Sequence, residues 1–114
     1  MSHFSILPTV LRDPDLVEAC LESMGFQPRR DGVVHGFGHE AKPVDVELPL
    51  ARGLSLGWCR QPDGSLAMVG DVQRLSRRHD VEALLTRLTR AYAARDALRR
   101  AQRELSDAVI TLGA

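Results

Sequence analysis

Apolar and polar residues change their period along this chain, and each change marks an element. Residues 3–11, HFSILPTVL, alternate and place Phe4, Ile6, Pro8 and Val10 on one face, which is the period of a strand. Pro8 has no amide to donate, so that strand is expected at a sheet edge. From Asp13 the period lengthens. Leu16, Val17, Cys20, Leu21 and Met24 share one helical face, and Asp15, Glu18 and Glu22 lie on the solvent side. Asp13 is the expected N-cap, Pro14 suits the first turn, and Gly25 ends the helix. Leu16, Cys20 and Leu21 should therefore face a sheet.

The two-residue period then returns. FQPRRDG reads as a short extended piece leading into a turn, and VVHGF as a short strand. VDVEL alternates Val44, Val46 and Leu48 against Asp45 and Glu47, a strand with one wet face. Residues 33–48 are expected as two extended segments joined or kinked at Gly36 to Gly38, with Val44, Val46 and Leu48 inward. LSLGWCR and SLAMVGDV flank QPDG; Pro pre-sets φ and Gly accepts a positive φ, so this is a hairpin.

From Asp80, the expected N-cap, Leu84, Leu88, Ala91, Ala94, Leu98, Ala101 and Leu105 recur every three or four residues. That spacing predicts a helix of about six or seven turns. The closing AVITLGA is β-prone, a short last strand or an unravelled tail. The element order predicts an α+β two-layer sandwich: an antiparallel sheet of about four to five strands with one short and one long helix, as a single domain over 1–114. Strands of ordinary length span roughly 17–20 Å, whereas a helix from 80 to 105 spans roughly 39 Å. Residues 94–114 should therefore overhang, leaving Leu98, Ala101 and Leu105 uncovered with arginines around them.

Composition narrows the function classes. Apolar residues make up 44% and charged residues 26% of the chain, the globular range. Basic and acidic side chains cancel at 15 each, but they are segregated. Residues 1–73 carry six Lys/Arg against ten Asp/Glu, and residues 74–104 carry nine Arg against four acids. A neutral total argues against nucleic acid as a partner, while the split allows one basic face. No apolar run approaches the roughly 20 residues of a membrane span, and the N-terminal residues lack a basic leader region, so a cytoplasmic, membrane-free protein is expected. Two cysteines, Cys20 and Cys59, are too few for a disulfide framework.

Candidate chemistry is sparse. His35 and His39 stand four apart among Gly32, Gly36 and Gly38. In a strand that spacing puts the rings roughly 13 Å apart, too far to share an ion, although a glycine bend would shorten it. A structural zinc needs about four ligands, and the spacing fits none of the familiar sites. The plainer reading is a glycine-kinked connection bearing two partly exposed histidines. GFGHEAK lacks the Gly-Lys-Ser/Thr end of a phosphate loop. Cys59 has no base supplied by its neighbours. No catalytic residue and no cofactor is assigned. Arg95, Arg99 and Arg103 step by four into one stripe, broadened by Arg87, Arg90 and Arg100. Without interleaved aromatics, such a stripe is a solvated face or a face for an acidic protein more often than a nucleic-acid site.

Five stretches in series carry a family resemblance: MSHFS, LESMGF, VVHGFGHEAKPVDVEL, GLSLGW leading to MVGDVQ, and DVEALLTRLTRAYA. In this order they resemble the hypothetical chloroplast reading frame thirty-five family, small proteins of algal plastids, cyanobacteria and other bacteria catalogued as a domain of unknown function. The resemblance covers about residues 1 to 95 and implies no catalytic residues. Pro8 and the arginine-rich tail depart from the family pattern. The resemblance also implies an accessory or adaptor role beside an AAA-type ATPase. The expected function is thus a non-catalytic accessory or adaptor domain acting through protein–protein contacts, with a protein partner or as a homo-oligomer, through Arg95, Leu98, Arg99, Arg103 and Leu105. The alternative is a small-ligand or metal-binding module, or an enzyme subunit, centred on the His/Gly segment 35–39 with His35, His39 and Cys59.

Overall fold

A computed structural model describes residues 4–35, 40–51, 53–71, 75 and 80–113. The elements whose bounds lie among the described residues are, in order, β1 (Ser5–Pro8), α1 (Pro14–Ser23), β2 (Arg29–Arg30), β3 (Val33–His35), β4 (Ala41–Pro43), β5 (Val46–Ala51), β6 (Leu54–Arg60), β7 (Leu66–Gly70) and α2 (Val81–Gly113). Five of the strands form one antiparallel sheet in the order β1-β7-β6-β5-β2. The fold is α+β, with both helices packed on one face of that sheet. β1, with its proline, is an edge strand as expected.

The local signals act as the sequence implies. Asp13 caps α1 by accepting from the Asp15 amide, and Gly25 closes it at φ 93°. There the Gly25 amide donates to the Glu22 carbonyl and the Phe26 amide to the Leu21 carbonyl, the paired closure of a glycine-terminated helix. Asp80 caps α2, its carboxylate accepting from the Ala83 amide at 2.9 Å. Gly64, at φ 88°, completes the turn joining β6 to β7. Leu16, Val17, Cys20 and Leu21 of α1 pack with Val46, Leu48, Leu56, Trp58, Leu66 and Met68 of the sheet, and with Leu84, Leu88 and Tyr92 of α2.

Three features differ from the sequence-based expectation. First, Val44 does not share a face with Val46 and Leu48. The chain bends at Asp45, whose amide donates to the Trp58 carbonyl and whose carboxylate accepts from the Arg60 amide. The bend sends Val44 to the opposite side of the sheet, where it is buried with Val34 and Val69. Second, that opposite side is partly covered by a separate two-stranded sheet of β3 and β4, a small third layer. It approaches at Gly57, where a methyl group would meet Val44 and Val34 at 2.5 and 2.6 Å. The expected kink at Gly36 to Gly38 lies outside the described residues. Third, the β-prone AVITLGA segment forms neither a strand nor a tail, because α2 runs to Gly113. A strand needs a sheet edge for its amides, and the end of α2 stands away from the sheet; a helix satisfies its backbone alone.

Candidate functional site

Beyond Tyr92 the two sides of α2 diverge. Each helical residue turns the chain by roughly 100°. Steps of four from Leu84 lead through Leu88 and Tyr92 to Asp96 and Arg100, along the side facing the body. Steps of seven from Leu84 lead through Ala91 to Leu98 and Leu105, roughly a half-turn from Asp96 and Arg100. The buried stripe therefore ends at Tyr92, and the apolar row leaves the body. Leu98 is 59% exposed, Leu105 67% and Val109 60%. Residues 101–109 are all exposed, and the molecule measures 61 × 27 × 19 Å.

On the body side of α2, a cleft of about 410 Å³ opens between α2, the segment entering α1, and the end of β6. Arg12, Arg60, Arg99, Arg100 and Arg103 line it together with Asp13, Asp96, Tyr92 and Val10. At its floor the Tyr92 hydroxyl accepts from the amides of Arg12 at 3.1 Å and Asp13 at 2.9 Å. Arg99 donates to Asp13 at 2.8 Å and to Asp96 at 3.2 Å, and Arg100 pairs with Asp96 at 3.0 Å. The Arg99 hydrogen bond, opposed by desolvation, holds the Asp13 carboxyl below its usual range. Arg12 donates to the Asp63 carbonyl at 2.7 Å.

The arginine stripe read from the sequence is thus divided. Arg99 is engaged within the chain and ties α2 to the start of α1. Arg103 faces the cleft, and Arg95 is exposed close enough for its charge to favour the Cys20 thiolate, although burial dominates and pushes that thiol up. Arg12 and Arg60 complete the cleft from far along the chain. Periodicity within one helix could not have found them, because only the tertiary fold brings them there.

His35 ends β3 beside a recess of about 340 Å³ lined also by Arg29, Glu47, Pro49, Leu50, Gly53, Leu54 and Ser55. Cys59 packs instead against the Val34, Val44 and Val69 cluster and is a free thiol. His39 lies outside the described residues. Among the described residues, no group of three or more His, Cys, Asp or Glu side chains converges as a metal site. No helix of the described residues is long and apolar enough to cross a membrane.

Comparison with known proteins bears on the whole chain rather than on either concavity. Residues 20–107 match the family described as "Protein of unknown function (DUF1257)". The chain is also similar to the "Uncharacterized protein ycf35" of Guillardia theta, at 28% identity over 94 residues, covering 82% of this chain and 73% of that protein. No solved structure matches it. With the family pattern spanning β2 to β7 and most of α2, the chain belongs to the DUF1257 family of proteins of unknown function, in agreement with the resemblance seen in its five serial stretches.

Proposed function

We propose that this protein is a non-catalytic accessory or adaptor domain, working in the cytoplasm through protein–protein contacts made by the distal half of α2. The observation that carries the reading is the row of Leu98, Leu105 and Val109, each more than half exposed at helical spacings of seven and four. An uncovered apolar row rimmed by charge is the surface of a helix that docks against another helix.

A second copy of the same helix is the occupant best supported. Along the overhang, Arg95, Arg99, Arg100 and Arg103 precede Glu104 and Asp107. Two such helices laid antiparallel bring the basic stretch of each beside the acidic stretch of the other, whereas a parallel pair aligns like charges. Ala101 and Ala108 between the larger residues allow close approach of the two backbones. An AAA-type ATPase is the kind of assembly that such an adaptor would serve, with Arg95 and Arg103 available to its carboxylates.

The test replaces Leu98 and Leu105 together by Glu and measures mass in solution across a concentration series. Both positions are largely exposed, so the variant should stay folded. A wild-type dimer that becomes a folded monomer in the variant supports the reading. Unchanged association would remove the row from the interface. A wild type that is monomeric throughout would remove the second copy as its occupant.

A further inference from the structure

We infer that the arginine cleft between α2, the entrance to α1 and the end of β6 is a binding site for a small molecule bearing phosphate groups. Five arginines and two aspartates line it, and the carboxylates are already engaged. Asp13 is held by Arg99, and Asp96 by Arg99 and Arg100. Among the described residues, the guanidinium groups of Arg60 and Arg103 make no ion pair or hydrogen bond, and Arg12 donates only to a backbone carbonyl. Three forks from three separate elements therefore converge on one concavity with donors to spare.

The residue type and the geometry favour phosphate. All five cations are arginines, whose planar forks donate in pairs to phosphate and carboxylate oxygens. A tetrahedral phosphate offers oxygens in several directions, which suits forks arriving from the loop before α1, from β6 and from α2. A planar carboxylate also takes two forks, as Asp96 does from Arg99 and Arg100, but it accepts them close to one plane. The positive end of the α1 dipole also lies at the Asp13 side of the cleft, and it adds attraction for an anion. The exposed Val10 and the buried Tyr92 give the cleft an apolar wall for the organic part of the ligand.

Size separates this site from a protein-docking groove. A volume of about 410 Å³ lies within the roughly 300–1,000 Å³ of small-molecule sites, while a helix with its side chains is roughly 10 Å or more across. The cleft lies on a different flank of α2 from the Leu98–Leu105 row, but Arg99, Arg100 and Arg103 also belong to the basic stretch invoked for helix association. Phosphate binding is read by titration and association by mass, so each reading can fail without the other.

The experiment is calorimetric titration of the full chain with inorganic pyrophosphate at low salt, with malonate as the carboxylate control. The wild type is compared with an Arg60→Ala/Arg103→Ala double variant, whose circular dichroism reports whether the fold is kept. Neither side chain holds a partner within the described residues, so the variant should remain folded. The expected result is saturable binding at one site per chain, weakened by added salt and reduced about tenfold or more in the double variant. Absence of saturable pyrophosphate binding would overturn the inference, as would affinity unchanged in the folded variant. Malonate bound as tightly as pyrophosphate would also overturn it, by assigning the cleft to carboxylates. If the double variant unfolds, the single Arg103→Ala variant carries the comparison, with a several-fold loss expected and no loss overturning the assignment.

Discussion

Adding a single methyl group at Gly57 should lift the small β3–β4 sheet from its seat. Gly57 sits between Leu56 and Trp58, which point into the helix-covered core, so its own missing side chain points the other way. A Cβ built there lies 2.5 Å from Val44 Cγ1, 2.6 Å from Val34 Cγ2 and 2.9 Å from Val44 Cβ. Carbon atoms prefer roughly 3.5–4.0 Å, so the facing layer must move by about 1 Å. The obstructing atoms cannot swing aside cheaply, because valine is stiff at χ1 and both valines are buried. Overpacking of this kind costs about 1–3 kcal/mol. Stiffening the unfolded chain by replacing glycine returns about 0.4–1 kcal/mol, so from the middles of the two ranges Gly57→Ala should destabilise the protein by about 1.3 kcal/mol. Full separation of the layer would expose Val34 and Val44 at about 1.5–3 kcal/mol each, which exceeds the cost of a shift. The protein should therefore yield by moving the layer rather than releasing it. Urea denaturation measures the loss. The same substitution in a Val34→Ala background should cost less, and the difference is the coupling between the two sites. A Gly57→Ala protein within about 0.5 kcal/mol of wild type, the range of ordinary surface changes, would show that the layer does not press on Gly57.

Other substitutions probe the joints around the cleft and core. Leu21 is fully buried between the sheet and α2, so Leu21→Ala should cost about 2–5 kcal/mol in a urea melt; a change under about 0.5 kcal/mol would contradict that placement. Tyr92→Phe removes the acceptor of two amides at the entrance to α1 and should cost about 1–3 kcal/mol, with faster amide exchange at Arg12 and Asp13 as its local signature. The Arg99 hydrogen bond lowers the Asp13 carboxyl from its ordinary 3.8, so the unfolded chain takes up that proton more readily than the folded one. The contribution is complete above the unfolded value and is lost as pH falls through the depressed folded value. Asp13→Asn keeps a competent cap but discards this charge. The stability gap between wild type and variant should hold steady at neutral pH and close as pH drops below about 3.8; a gap that stays constant through that range would refute the linkage.

Much of the architecture was legible because it rests on interactions between near neighbours. Asp13, Pro14 and Gly25 bound α1 through backbone groups within one turn, Asp80 starts α2 in the same way, and Pro62-Asp63-Gly64 closes its hairpin with a glycine that accepts positive φ. The alternation of Val46 and Leu48 against Glu47 identifies a one-sided strand without reference to its partner. The family, too, was legible in the serial order of five short stretches. What periodicity could not determine was which of two rows on α2 meets the body. From Leu84, the four-residue and seven-residue rows are both apolar for two turns, and they part because each step of four overshoots a full turn by roughly 40° while each step of seven falls short of two turns by roughly 20°. Packing against α1 selects the row through Leu88 and Tyr92, and that choice turns Leu98 and Leu105 outward. The bend at Asp45 was hidden for a similar reason. Val44, Val46 and Leu48 alternate correctly, yet the bonds that Asp45 donates to the Trp58 carbonyl and accepts from the Arg60 amide, both distant in sequence, accompany the reversal of the side that Val44 takes. The cleft is the furthest from anything local. Arg12, Arg60 and Arg103 share no period and no segment, and their charges gather only where the end of β6, the start of α1 and the middle of α2 meet.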